Sequence, residues 1–233
     1  MLDKFKVRKF WDERASSYDH VEFESIANLE EDKENLKTKI SCETSKVFSW
    51  LGSVDGMNIL DLGAGVGQWA LRFSERGAKR VVAVEFSDSL AEIARKELKK
   101  RKLDNIEFVV SPAELFTTDE KFDLVFCSGL CVYLNDDQFL QLAKNLPTFL
   151  KPQAKVLMRE GMAVERRHEI NDEFSDHLQV NYSATYRTRD EYIRALSQQG
   201  LLVEQDENVF PEGHNLNKYS ETRLHLFSFL QKK

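Results

Sequence analysis

Asn58-Ile59-Leu60-Asp61-Leu62 runs directly into Gly63-Ala64-Gly65-Val66-Gly67-Gln68-Trp69. A short apolar run ending in spaced glycines reads as a buried strand that bends sharply and opens a helix. Glycine permits the tight bend, and side chains at Gly63, Gly65 or Gly67 would keep a ligand away from the backbone. The first N–H groups of the helix after such a bend have no partner within it and face a polar or anionic ligand.

The next apolar run is Arg80-Val81-Val82-Ala83-Val84-Glu85, a strand with an acid at its tip. A carboxylate roughly 20 residues beyond a glycine loop is where a mononucleotide-binding unit holds two ribose hydroxyls. Glu85 fits, because two acceptor oxygens can receive two adjacent hydroxyl donors. The spacing Gly63-x-Gly65-x-Gly67 departs from the G-x-G-x-x-G of dinucleotide folds. Loop, strand and acid together carry more than the glycines alone.

Strand and helix signals then alternate. A helix through Trp69, Leu71 and Phe73 is expected to stop near Gly77. Ser89-Leu90-Ala91-Glu92 has capping-box spacing and opens a second helix through Ile93, Ala94 and Leu98, with Ser87 a further cap candidate. The basic run at 99–102 suits that helix's C-terminal end. Strands follow at 106–110 and 122–127. A helix carrying Phe139, Leu142, Ala143, Leu146 and Phe149 is expected to end at Lys151-Pro152. A strand at 155–159, a helix capped by Thr188 and Glu191 and stopped by Gly200, and strands near 201–205 and 223–229 complete the pattern. Repeating β-α units imply a mostly parallel sheet with helices on both faces.

Bulk properties bound the partners. The 233 residues, 42% hydrophobic, suit one α/β domain with additions. A net charge of -6 argues against a nucleic-acid binder. No run approaches the roughly 20 apolar residues of a membrane span, and the charged N-terminus lacks the apolar core of a secretion signal. A cytoplasmic location is expected. Cys42, Cys127 and Cys131 form no Cys-x-x-Cys pair, so they read as reduced structural thiols and no metal site is expected. The sequence does not specify an oligomeric state.

Ile59-Leu60-Asp61-Leu62-Gly63-x-Gly65-x-Gly67, followed by Val84-Glu85-x-Ser87, resembles the class I, seven-stranded, Rossmann-like methyltransferases that depend on S-adenosylmethionine (SAM). The resemblance runs from about Tyr18 to the C-terminus. It implies a three-layer Rossmann-like fold, seven-stranded and mostly parallel. It also implies an enzyme that binds SAM and releases S-adenosylhomocysteine (SAH). Residues 1–53 form a helical N-terminal cover of the same domain, 54–233 the SAM-dependent domain, and 160–187 a lid-like insertion. The cover and insertion could equally be plain cladding of the sheet edge.

The resemblance also implies a cofactor site. Gly63, Ala64, Gly65 and Gly67 lie along the methionine part of SAM, Asp61 orders its amino group, and Glu85 holds the ribose. Phe86 flanks adenine. Relatives carry an Asp after the third strand where this chain has Pro112, which has no N–H and no side-chain acceptor. Adenine must therefore be read near Ala113, by Glu114, or by stacking. Carbonyls around Ser128 and Leu130 face the methionine end, and Tyr18 resembles an aromatic that closes over SAM.

The implied reaction transfers a methyl group to the N or O of a small-molecule acceptor. The protein contributes mainly alignment and exclusion of water. An oxygen acceptor needs a general base, for which His168, His177, Glu160 and Tyr133 are candidates. Tyr133, Arg159, Tyr182, Arg187 and Arg223 are candidates for acceptor binding, the arginines for a carboxylate or phosphate. The Asn/Asp-Pro-Pro-Tyr motif of base-modifying relatives is replaced by Cys127-Ser128-Gly129-Leu130. Protein α-N-terminal methylation is an alternative, although Gly161 stands where that family has an amine-holding Asn. A non-catalytic SAM-binding protein is a second alternative, and a nicotinamide-dependent oxidoreductase a third.

Overall fold

The computed structural model describes residues 1–16, 22–30, 32–176 and 178–232. Three helices come first: α1 (Lys4–Ser16), α2 (Phe23–Ile26) and α3 (Lys33–Leu51). The alternating region follows as β1 (Asn58–Leu62), α4 (Gln68–Glu75), β2 (Arg80–Glu85), α5 (Asp88–Arg101), β3 (Ile106–Val110), β4 (Phe122–Ser128) and α6 (Asp136–Asn145). The rest is β5 (Leu150–Ala163), β6 (His168–Ser175), β7 (Val180–Tyr186), α7 (Arg189–Ser197), β8 (Leu201–Asn208) and β9 (Thr222–Gln231).

Seven strands form one sheet in the order β3-β2-β1-β4-β5-β9-β8. All pairs from β3 to β5 are parallel, and β9 runs antiparallel to both its neighbours. This is the three-layer Rossmann-like methyltransferase architecture that the resemblance implies. The order reverses between β1 and β4, and the carboxyl ends of strands at such a reversal are where open α/β sheets take ligands.

Period-two alternation divides the central strands between two cores. Leu60, Leu62, Val84 and Val125 pack with Phe139 and Leu142 of α6 and Tyr192 and Leu196 of α7. Ile59, Val81, Ala83 and Phe126 pack with Trp69 and Phe73 of α4 and Leu98 of α5. Because both faces are covered, β1 and β2 read as nearly unbroken apolar runs. Each large side chain so buried contributes roughly 1.5–3 kcal/mol. A third cluster joins Val7, Phe10 and Trp11 of α1 to Tyr182 and Ala184 of β7.

Several boundaries differ from the sequence expectation. The cap of α5 is Ser87, whose Oγ accepts the Leu90 N–H at 3.2 Å, so the helix begins before Ser89. The helix carrying Phe139 gives way at Leu146 to a 3-10 turn containing Pro147. Lys151 and Pro152 therefore do not end it. They lie at the start of β5, which runs longer than 155–159 in both directions. Within the expected insertion, β6 and β7 form an antiparallel two-stranded sheet of their own.

Candidate active site

The glycine bend is fastened to the neighbouring strand. Gly63 N and Ala64 N both donate to Val84 O, at 2.9 and 3.0 Å. All three glycines have positive φ (+73°, +57° and +84°), which a side chain rarely tolerates. A Cβ on Gly63 would lie 3.0 Å from Leu130, and one on Gly65 3.1 Å from Ala27. A Cβ on Gly67 would lie 2.7 Å from Phe108 on β3. Gly67 thus admits close packing of α4 against the sheet and does not line the cavity above the bend. Protein atoms, rather than a ligand alone, require these glycines.

That cavity measures about 810 Å³ and lies over the carboxyl ends of β1, β2, β4 and β5. Asp61, Gly63, Ala64, Gly65, Glu85 and Phe86 line it along the first two strands. Ala113, Glu114, Ser128 and Leu130 line it after β3 and β4. Tyr18 and His177 lie outside the described residues.

Two buried acids mark the strand tips. Glu85 accepts Gly65 N–H at 2.8 Å on one oxygen and Ser87 N–H at 2.9 Å on the other. The Phe86 backbone N–H bonds the same carboxylate. Asp61 is 1% exposed, and its Oδ2 has no hydrogen-bond partner among the described residues. Burial pushes both carboxyls up to about 7; the neighbouring Glu85 charge adds to the effect on Asp61, while backbone N–H groups oppose it at Glu85. A buried acceptor without a donor is costly, so Asp61 is a place where a bound cation would be stabilised. Glu114, by contrast, is engaged: its Oε1 accepts from Gln138 Nε2 and its backbone oxygen from Asn145 Nδ2.

The remaining candidates separate clearly. Tyr133, Arg159, His168, Tyr182 and Arg223 line the cavity, whereas Glu160 and Arg187 do not. Glu160 is fully buried and accepts the N–H groups of Leu130 and Cys131 at 3.1 and 3.0 Å, which holds the turn after β4. Arg187, 1% exposed, donates to Cys131 O at 2.8 Å, Leu134 O at 2.7 Å and Asp136 Oδ1 at 2.7 Å. Both side chains brace the wall from behind. Arg223 turns back on its own loop, donating to the carbonyls of Tyr219, Ser220 and Thr222. Arg159 pairs with Glu43 of α3 at 2.6 Å and Ser128 Oγ at 2.9 Å, and its buried Nε is unpartnered among the described residues.

Other lining residues lie outside the set that the sequence analysis singles out. Glu43 and Lys39 of α3, Trp11 of α1 and Tyr186 of β7 reach the same cavity. Lys39 donates to Asn28 Oδ1 at 2.7 Å, and burial holds its ammonium below the usual lysine value. For Tyr186 the signal was available: Tyr182-x-Ala184-x-Tyr186 has strand periodicity and puts both rings on one face. Cys127 and Cys131 are free and buried, Cys42 is free and half-buried, and no group of metal-ligating side chains occurs among the described residues.

Comparison with known proteins agrees with this geometry. Residues 59–153 match the methyltransferase domain family described as "Methyltransferase domain". Phosphoethanolamine N-methyltransferase 1 of Triticum aestivum is 32% identical over 122 residues, which is 51% of this chain and 24% of that protein. Demethylmenaquinone methyltransferase of Lactococcus lactis is 32% identical over 120 residues, 50% of this chain and 46% of that protein. The chain thus spans less than half the length of these curated relatives. Among solved structures, the 1,6-didemethyltoxoflavin-N1-methyltransferase of Burkholderia thailandensis, bound to its substrate and SAH, superposes with a TM-score of 0.69 at 16% identity, covering 100% of this chain and 92% of that one. The magnesium protoporphyrin IX methyltransferase of Synechocystis, bound to SAM, gives 0.68 at 14% identity, covering 100% and 99%. Residues 59–153 thus match a methyltransferase domain, and the chain has the class I methyltransferase fold.

Proposed function

We propose that this methyltransferase domain binds SAM and transfers its methyl group to the nitrogen or oxygen of a small-molecule acceptor. The observation that carries the proposal is the pairing of Asp61, a buried carboxylate oxygen without a donor, with Glu85 at the tip of the adjacent strand, both above the glycine bend. This doubly acidic edge suits an ammonium group at Asp61 and a ribose diol at Glu85. When bound, SAM supplies a methyl group on a sulfonium whose leaving group is a neutral thioether.

The chain's own residues provide the rest. Gly63, Ala64 and Gly65 offer backbone without intervening side chains, and Phe86 offers a ring beside the adenine position. Ala113 and the backbone of Glu114 close that end, while one oxygen of the Glu114 carboxylate already accepts from Gln138. Ser128 and Leu130 border the methionine end. Arg159, with its free Nε, would hold an anionic group. The three-helix N-terminal cover and the β6–β7 hairpin both reach the cavity and would exclude water from it. Among the base candidates, His168 faces the cavity and Glu160 does not.

A volume of about 810 Å³ falls in the upper part of the roughly 300–1,000 Å³ typical of small-molecule pockets. That favours a cofactor with a compact acceptor over a macromolecule. Peptide N-terminal methylation is disfavoured because Gly161 offers no amide and Tyr186 fills the space before it. Among the described residues no helix is long and apolar enough to cross a membrane.

Isothermal titration with SAH and with NAD tests the cofactor assignment. SAH is expected to bind and NAD not; the reverse result refutes it. Transfer of label from methyl-labelled SAM to fractionated small-molecule extracts tests catalysis, and SAH binding with no transfer to any fraction would support the non-catalytic alternative.

A further inference from the structure

The cavity wall under the β6–β7 hairpin holds three tyrosine hydroxyls in a row. Tyr133 OH lies 3.2 Å from Tyr182 OH, which lies 3.4 Å from Tyr186 OH. Tyr133 follows β4, whereas Tyr182 and Tyr186 share one face of β7, and all three line the cavity. Their rings form a corner: Tyr133 and Tyr182 meet at 90° with centroids 6.2 Å apart, and Trp11 stands at 86° to Tyr133, 5.4 Å away. Gly161 on β5 makes room for this corner, since a Cβ there would lie 2.9 Å from the Tyr186 ring and 3.3 Å from Val132.

Hydrogen-bond accounting gives this wall a polarity. Three hydroxyls carry three protons and six lone pairs. The two contacts between them use two protons and two lone pairs, leaving one proton against four lone pairs. Both contacts are longer than the usual hydroxyl pair, so the row is loosely closed and can accept a donor from outside. Burial raises all three phenols above their ordinary range, so they remain neutral and none serves as a base. The wall is therefore rich in acceptors and π faces, a surface that attracts N–H donors and cations.

We propose that Tyr133, Tyr182, Tyr186 and Trp11 form the acceptor seat for an aliphatic amine, so that the methyl group is delivered to nitrogen. The inference rests on the SAM reading above and narrows its acceptor to nitrogen. The amine arrives uncharged, its N–H groups directed to the tyrosine oxygens. An N–C bond forms as the C–S bond of the sulfonium breaks, so positive charge passes from sulfur to nitrogen and the thioether leaves neutral. The proton of the resulting ammonium passes to water. Lone pairs and ring faces at the nitrogen stabilise that arriving charge. An alcohol would gain less, because its proton must leave as the methyl arrives, and it ends neutral.

The test uses a matched pair on the full chain saturated with SAH. Choline and its neutral carbon isostere, 3,3-dimethylbutan-1-ol, are titrated by calorimetry. Choline is expected to bind at least tenfold more tightly. Tyr182→Leu should remove most of that preference while leaving SAH affinity within about twofold, and Tyr182→Phe should keep it. Equal binding of the pair, or no choline binding to SAH-loaded protein, overturns the amine seat. Should Tyr182→Leu fail to fold, Tyr133→Leu makes the same measurement. Failure of SAH itself to bind is a separate result that removes the underlying cofactor reading. In turnover, a panel of primary and secondary amines should accept label in preference to the corresponding alcohols, and the opposite preference overturns the proposal.

Discussion

The two ends of the cavity are built on different plans. Beside the glycine bend, the wall comes from neighbouring strands and is organised by backbone hydrogen bonds: Gly63 and Ala64 to Val84, and Gly65 and Ser87 to Glu85. Beneath the hairpin, the wall comes from α1, the turn after β4, β5 and β7, and is organised by side chains stacked on side chains. The first end is set by a local backbone pattern that many sequences can share. The second exists only when distant segments meet, so under the proposed function it is where one acceptor would be told from another.

Substitutions at the two ends should therefore separate cofactor binding from acceptor binding. The largest effect is expected at Gly65→Val. Its φ of +57° and the nearby Ala27 leave no room for a branched side chain, so calorimetry should show no SAH binding. Glu85→Ala should follow, with SAH affinity lower by about 5- to 150-fold, or about 1–3 kcal/mol for charge-assisted hydrogen bonds. Unchanged affinity would refute the ribose assignment. At the other end, Gly161→Ala forces Tyr186 to move. Overpacking of this kind costs about 1–3 kcal/mol, so the melting temperature should fall and choline binding weaken, with SAH affinity retained. Loss of SAH binding in that variant would mean the two ends are not separable.

Acidity gives a third, smaller contrast. Asp61 and Glu85 both have carboxyls near 7 when folded, above their unfolded values. Between those values the folded protein holds more protons than the unfolded chain, so stability is greatest at low pH within this window and declines as pH rises through about 7. Melting temperature measured without cofactor should thus fall from pH 5 to 8, and Asp61→Asn should flatten the slope. Glu160, also near 7, contributes in the same direction. The smallest expected effects test the helix start: Ser87→Ala should cost about 1 kcal/mol as a lost N-cap, while Ser89→Ala should leave the melting temperature nearly unchanged.

What could be read from the sequence follows the same division. The glycine bend, Glu85 and the parallel strands announce themselves because a buried parallel strand writes its whole length in apolar residues. Ser87 and Ser89 both read as caps, Ser89 because its spacing to Glu92 satisfies the capping pattern; Ser87 wins because its hydroxyl lies where the turn begins. Pro152 was read as a helix stop, yet proline is also tolerated near the start of a strand. From the sequence, Glu160 reads as a candidate base and Arg187 as an acceptor-binding residue, because charged residues near strand ends often serve a site. Only tertiary contacts reveal that both face inward to hold the turn at 130–136. The Glu43–Arg159 pair spans 116 positions, and no local pattern announces it.

The excursion that carries β6 and β7 leaves and rejoins the chain at nearly one point: Ala163 N donates to Arg187 O at 2.9 Å, and Ala163 bridges to Thr188. Everything between is a detour closed at its base, like a drawstring. Lengthening, trimming or exchanging the detour need not disturb the sheet, since the ends stay tied whatever lies between them. The residues that line the cavity from the hairpin can then vary while the sheet beneath stays fixed.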